Sequence, residues 1–167
     1  CWRKTGHGPV NLYSAIEQSC DVYFYEMGRR LGIDVMSDWL SRFGLGQITG
    51  VDLPQEPTGL VPTRQWKRAN RNESWYPGED LITVIGQGFL MVTPMQLARM
   101  TATLANRGLP VQPRILLSKE DSLSGEEIPL TQPVAKLERV IDTSLDMVVE
   151  AMTAVMHSPR GTGRASG

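Results

Sequence analysis

Three neighbouring side chains in the run Glu17-Gln18-Ser19-Cys20-Asp21-Val22-Tyr23-Phe24-Tyr25-Glu26-Met27-Gly28 could do chemistry: a hydroxyl, a thiol and a carboxylate. Ser19 can relay a proton through its hydroxyl, and Asp21 can accept from a nearby lysine or a substrate amide. A loop between two helices would point both at a cleft. The plainer alternative is capping, because Ser or Asp ahead of Val22-Tyr23-Phe24 is ordinary helix N-cap chemistry. A second constellation overlaps the first. Of the two cysteines and two histidines, Cys1, His7 and Cys20 cluster early and His157 lies far along the chain. Two thiolates and an imidazole suit a tetrahedral zinc site with a fourth ligand from elsewhere. The spacing is no zinc signature by itself, so a Cys1–Cys20 disulfide and two unrelated thiols stay open.

The elements that must position these groups are legible as helices on either side of the run. Asn11 caps a helix through about Gln18, with Leu12, Ala15 and Ile16 on one face. A second helix runs from Asp21 to Leu31 and stops at Gly32. Asp34 caps a third, with Val35, Met36, Trp39, Leu40 and Phe43 apolar, and Gly44 ends it. Residues 44–88 are rich in Gly and Pro and read as a long irregular insertion with β-like pieces such as Gly50-Val51-Asp52-Leu53. Leu81-Ile82-Thr83-Val84-Ile85 reads as a buried strand or extended segment. The clearest helix covers residues 94–106, with Thr93 as N-cap, Pro94 at N1, Gln96 at N3 and Gly108 as the stop. Its expected inner stripe is Leu97, Met100, Thr101 and Leu104. Residues 111–117 read as a strand, and 118–133 as an exposed loop or hairpin. Residues 144–156 read as a last helix capped by Thr143 with Asp146 at N3. A turn or loop over 158–163 follows.

Of the remaining groups, Tyr23, Phe24 and Tyr25 read as core and cleft wall. Trp66, Trp75 and Tyr76 either line a groove or, the favoured reading, pin the long loop. Arg29-Arg30 and Lys67-Arg68 read as solvated helix or loop ends.

The chain of 167 residues is 41% apolar and 21% charged, which is globular composition for one domain. With 17 basic and 18 acidic residues, nothing argues for nucleic acid as a partner. No apolar run approaches a membrane helix. The absence of an initiating Met, and the sequence at both ends, are expected of a piece cut from something longer.

Further stretches carry a family resemblance. They are Ile85-Gly86-Gln87-Gly88 with Thr93-Pro94-Met95-Gln96-Leu97-Ala98; Gly44-x-Gly46 with Thr49-Gly50-Val51-Asp52-Leu53 and Glu56; and Pro62-Thr63-Arg64-Gln65-Trp66-Lys67 with Trp75-Tyr76-Pro77-Gly78-Glu79. Together with Ser19-x-Asp21 they resemble the class B, elongation-type penicillin-binding protein 2 family of bacteria. The likeness is strongest up to about Leu117 and weaker beyond it. It implies an α+β fold of penicillin-recognising serine enzymes, of which residues 1–167 would be a partial transpeptidase domain, mostly helical subdomain and cleft loops. It also implies a peptidoglycan D,D-transpeptidase that crosslinks stem peptides through an acyl-serine and binds β-lactams.

In that family a Ser-x-x-Lys supplies nucleophile and base, a Ser-x-Asn relays protons, and a Lys-Ser/Thr-Gly strand holds the substrate carboxylate. Only the second is matched, by Ser19 and Asp21; the others are expected outside this chain. Asp21 departs from the commoner Asn and shifts the role towards pairing with a lysine. Lys4-Thr5-Gly6 matches the third motif by letters only and is read as a turn. Gly161-Thr162-Gly163 lacks the lysine and is read as loop ahead of the true motif. By the same resemblance Cys1, His7 and Cys20 are expected zinc ligands, with an acidic fourth from before Cys1 and a structural role. A wall-elongation glycosyltransferase partner and the periplasmic face of the inner membrane, with an anchoring helix ahead of this chain, are implied as well. The rivals are a β-lactamase or β-lactam sensor of the same fold, and a non-catalytic zinc-stabilised binding module.

Overall fold

A computed structural model describes residues 1–129 and 145–166. In chain order the described elements are α1 (Leu12–Glu17), α2 (Asp21–Arg42), α3 (Arg64–Arg71), α4 (Pro77–Thr83), α5 (Pro94–Ala105), β1 (Ser118–Glu120), β2 (Glu127–Pro129), α6 (Leu145–His157) and a short 3-10 turn, Arg164–Ser166. Among the described residues the fold is thus mostly helical with a small antiparallel sheet, in which Lys119 faces Ile128. The expected α+β fragment, low in strand, is what forms. Two helix pairs organise it: α2 lies on α4, and α1 on α6.

Local signals explain most boundaries. The Asn11 side chain accepts the Ser14 N–H at 2.9 Å and starts α1. The two helices expected over 21–43 both form; they abut within α2 at Gly32, whose backbone leaves the helical region there (φ 70, ψ 165) as expected of the stop glycine. The Asp34 carboxylate, expected as a helix cap, accepts from Arg64 Nε at 2.9 Å and docks the start of α3. Gly28 faces α4 so closely that a Cβ there would stand 2.9 Å from the Asp80 carbonyl and from Val84. Beyond the break, Ile33, Met36 and Trp75 form the buried cluster, with Val84 and Phe89 against it. Trp75 donates its indole N–H to Asp80 at 2.9 Å, so it pins the long segment as expected.

Several expectations are corrected. Residues 44–88 are not one irregular insertion, since α3 and α4 lie within them. The β-branched run after Asp80 is not a strand: α4 takes Leu81 to Thr83, because Pro77 sits in the first turn and Glu79 turns back to accept the Tyr76 N–H at 2.7 Å. Gly50 to Leu53 forms no strand, and its first two amides are taken by side chains, Gly50 N–H by Glu56 and Val51 N–H by the Thr49 hydroxyl oxygen. The Glu56 carboxylate gathers the Thr49 N–H (2.8 Å), the Thr49 hydroxyl (2.6 Å) and the Gly50 N–H (3.1 Å). Residues 111–117 form no strand either. Asp52 accepts the Ile115 and Leu116 N–H groups at 2.7 and 2.8 Å, and Pro110 and Pro113 have none to offer a ladder. The hairpin expected over 118–133 is present as β1–β2 as far as Pro129. The cap expected at Thr143, the helix start expected at Ser144, and residues 130–133 lie outside the described residues.

Lys67 is the plainest correction. It is no solvated end but 1% exposed, with Glu79 at 2.6 Å, Glu73 at 3.3 Å and the Tyr76 ring 4.3 Å from its ammonium. Burial lowers its pKa, but the hydrogen bonds and charges of Glu79 and Glu73 outweigh this and hold it above its ordinary value. By contrast Arg29 and Arg30 are exposed, as expected, and both pair with Glu26.

α5 keeps its expected capping box but turns a different face inward. Gln96 and Thr103 are 0% and 1% exposed, whereas Leu97 is 44% exposed. Gln96 is buried because it closes three loops at once. Its amide N–H groups donate to the Gln47 carbonyl at 2.6 Å and the Thr58 carbonyl at 2.8 Å, and its oxygen accepts the Thr93 N–H at 3.1 Å. Gln96→Leu strands those groups and lowers stability by about 2–4 kcal/mol, while Leu97→Ala costs about 1 kcal/mol or less. Thermal or urea unfolding of the two variants checks the ordering, and a larger loss for Leu97→Ala contradicts this account of α5.

The Glu56 loop predicts a pH effect. Burial raises its carboxyl, but the Thr49 hydroxyl, the Thr49 and Gly50 amides and the Arg99 charge together hold it below the ordinary 4.5. A group more acidic when folded stabilises the fold above its unfolded pKa and stops doing so as acid protonates it. Protection of the Thr49 and Gly50 amides from hydrogen exchange therefore falls as pH drops below about 4.5, and Glu56→Gln flattens that dependence.

Candidate functional site

The junction between α1 and α2 is built by hydrogen bonds that set each side chain's direction. Gln18 caps α1. Ser19 follows in the left-handed conformation at φ 51, a region that disfavours any residue with a Cβ. The Ser19 N–H bonds the Ile16 carbonyl at 3.2 Å and the Cys20 N–H bonds the Ala15 carbonyl at 2.9 Å. This pair is the Schellman closure, whose left-handed position is usually Gly. Serine there costs on the order of 1 kcal/mol.

The turn faces Ser19 outward, puts Cys20 inward at 4% exposure, and leaves Asp21 half-buried as the first residue of α2. The capping alternative for Ser19 and Asp21 is corrected here. Cys20 occupies the N-cap position of α2, with no side-chain capping bond. The Asp21 carboxylate sits in the first turn, where the helix dipole favours negative charge. Tyr23, Phe24 and Tyr25 are partly buried behind it, with the Tyr23 and Phe24 rings edge to face at 5.5 Å.

Ser19 is not alone on its outer side. Its hydroxyl lies 2.8 Å from that of Thr162, and either oxygen can donate. Thr162 belongs to the loop after α6, which is anchored on Glu17 at the end of α1. Glu17 is 2% exposed; Ser158 donates to its carboxylate, and Arg160 Nη2 lies 3.2 Å from its second oxygen. The loop expected at Gly161-Thr162-Gly163 is present, and nothing in the local sequence assigns a role to Thr162 or Glu17. A threonine between two glycines was the one available signal; no local pattern in the sequence joins it to Ser19.

The expected metal ligands lie beside the same turn. Cys1 Sγ is 3.2 Å from His7 Nδ1, and Cys1, His7 and Cys20 line one recess together with Glu26. The segment is tied to α1 by the Trp2 indole, which donates to the Gln18 carbonyl at 3.0 Å and meets the His7 ring edge-on at 5.3 Å. His7 Nε2 is buried with no hydrogen-bond partner, which suits a nitrogen that takes a metal. Both cysteines are free thiols. Among the described residues no three His, Cys, Asp or Glu side chains converge closely enough to hold a metal ion. The structure thus joins Cys1 to His7 and sets Cys20 on the same wall. Lys4-Thr5-Gly6 forms the expected turn, closed by the Gly6 N–H on the Arg3 carbonyl at 2.9 Å. Among the described residues no helix is long and apolar enough to cross a membrane.

Comparison with known proteins bears on this geometry. The family model of the penicillin binding protein transpeptidase domain matches residues 1–167. Among curated proteins, the chain is 50% identical over 115 residues to the peptidoglycan D,D-transpeptidase MrdA of Acinetobacter baumannii, covering 69% of this chain and 17% of that protein. It is 35% identical over 162 residues to the Escherichia coli K12 protein of the same name, covering 96% and 25%. Among solved structures, Pseudomonas aeruginosa PBP2 in complex with WCK 5153 superposes with a TM-score of 0.80 at 41% identity, over 99% of this chain and 37% of that one. A complex between PBP2 and MreC from Helicobacter pylori gives a TM-score of 0.83 at 35% identity, over 99% and 29%. The chain spans 17% and 25% of the lengths of these two curated relatives. With a match over its whole length, the chain belongs to the penicillin-binding protein transpeptidase domain family.

Proposed function

We propose that this chain supplies the Ser-x-Asp element of a peptidoglycan D,D-transpeptidase that acts in wall elongation. One observation carries the reading: Ser19 holds an exposed hydroxyl at a left-handed position where glycine would be more stable. A side chain kept against its conformational preference points to a use for that side chain. The relatives named as D,D-transpeptidases support the choice of reaction.

In this reading a serine and its lysine come from sequence outside this chain. The serine oxygen attacks the carbonyl of a D-Ala-D-Ala stem, an acyl-serine bond forms, and the peptide bond to the terminal D-Ala breaks. The serine's proton ends on the departing amine. Ser19 carries it across, accepting on a lone pair while giving up its own hydroxyl proton. Asp21 accepts only, so it pairs with the lysine and orients it. A neighbouring stem amine then takes the acyl group, and a β-lactam stops the cycle by acylating the same serine.

A solved complex of PBP2 with MreC, and a peptidoglycan synthase complex that coordinates polymerization and crosslinking, support MreC and a wall-elongation glycosyltransferase as partners of the intact protein. The periplasmic face of the bacterial inner membrane is the compartment that this substrate requires. Cys1, His7 and Cys20 would hold a zinc ion with one further ligand, and the metal would brace the turn that carries Ser19.

Ser19→Ala in the intact protein slows acylation by a fluorescent penicillin by about 100-fold. Ser19→Gly slows it equally, yet stabilises the turn by about 0.5–1 kcal/mol, read as slower exchange of the Cys20 amide. Labelling of the alanine variant at the wild-type rate contradicts the relay. Metal analysis of the purified protein finds roughly one zinc per chain, lost on Cys20→Ser. Absence of metal after reducing, metal-replete purification overturns the zinc site.

A further inference from the structure

We propose that Thr162 is a positioning residue for the Ser19 relay, set in place by the buried Glu17 carboxylate; the proposal rests on the reading of Ser19 given above. The loop after α6 is constructed around this contact. Its first part is fixed to Glu17: Ser158 donates to the carboxylate through its hydroxyl, and that same hydroxyl oxygen accepts the Arg160 N–H at 3.1 Å. The Arg160 guanidinium stands 3.2 Å from the other carboxylate oxygen, an ion pair without hydrogen-bond alignment. Its second part is fixed through the backbone. The Glu17 carbonyl accepts the Thr162 N–H at 3.3 Å, the Ser158 carbonyl accepts the Gly161 N–H at 3.0 Å, and the Val155 carbonyl accepts the Gly163 N–H at 2.9 Å.

The glycines on either side of Thr162 are there for space. A Cβ on Gly161 would stand 2.3 Å from the Val155 carbonyl oxygen and 2.4 Å from that of Ala154. One on Gly163 would stand 2.6 Å from Met156 Sδ. At Gly161 only glycine lets the loop lie flush on the last turn of α6 and carry Thr162 to Ser19, whereas at Gly163 the close neighbour is the movable Met156 side chain.

The chemistry asks for such a partner. A serine hydroxyl on an exposed turn rotates among three wells and among water partners. A relay works only in the orientation that aims a lone pair at the donor and the O–H at the acceptor. Threonine is β-branched and stiff about χ1, and here its backbone is held on both sides. Its hydroxyl, 2.8 Å from Ser19 Oγ, therefore takes up one of that oxygen's hydrogen-bonding directions and leaves the others for the relay.

The test uses the intact protein and the second-order rate of acylation by a fluorescent penicillin. Thr162→Val lowers that rate about 3- to 10-fold, as expected for loss of one orienting hydrogen bond, with Tm unchanged. Thr162→Ser restores it to within about twofold. In a Ser19→Ala background, Thr162→Val causes no further loss, because its effect passes through Ser19. A wild-type rate for Thr162→Val beside a slow Ser19→Ala overturns the role of Thr162 and leaves the relay standing. A wild-type rate for Ser19→Ala overturns the relay itself. A Thr162→Ser variant as slow as Thr162→Val, or a full additional loss in the Ser19→Ala background, assigns the effect to packing and overturns the proposal. Should Thr162→Val lose its native Tm, Thr162→Ala takes its place in the same comparisons.

Discussion

A carboxylate at 2% exposure holds its charge inside the protein only if that charge is answered, and Glu17 is answered by Ser158 and Arg160. Its hydrogen bond with Ser158 spans 141 positions of the chain and ties the last turn of α1 to the loop after α6. The packing of α1 on α6 and the placement of Thr162 both depend on that tie. Loss of either partner would leave a buried charge unmet, which costs far more than the pair gains by forming. A counterpart of opposite sign is the Lys67 ammonium of α3, held by Glu79 of α4, by Glu73 and by the Tyr76 ring. Glu17 and Lys67 are thus two buried ions that tie distant segments together.

Against that frame the turn at Ser19 is locally unfavourable and globally secure. Its Schellman bonds and the contact with Thr162 hold a left-handed serine that the local sequence would not choose. The same turn buries Cys20 beside the recess shared by Cys1 and His7. Three supports therefore converge on three residues: the closure of α1, the loop after α6, and the amino-terminal segment held by Trp2. Such convergence is how a fold keeps one hydroxyl in one place on an otherwise exposed turn.

Local chemistry made much of this legible beforehand. Asn11, Gly32 and the Thr93-Pro94-Met95-Gln96 start are capping and stop signals that act within a few residues, and each acts where expected. The misses share a cause. Residues 50–53 and 111–117 look like strands because of their branched side chains, but Glu56 takes the Gly50 amide and Asp52 takes the Ile115 and Leu116 amides, which no periodicity shows. Lys67 looks solvated because lysine usually is, and only the arrival of Glu79 makes its burial stable. In α5 hydrophobicity predicts an apolar inner stripe, whereas a glutamine that satisfies three loop groups takes the inner face. Thr162 and Glu17 were invisible for the same reason, since their roles exist only once distant segments meet.

An experimental structure of the intact protein acylated by a penicillin tests the central claim most directly. The Ser19 hydroxyl is expected there within hydrogen-bond reach, about 2.6–3.2 Å, of both Thr162 Oγ1 and the lysine that serves the acylated serine. A Ser19 hydroxyl turned away from that lysine, with Thr162 bonded elsewhere, would contradict it.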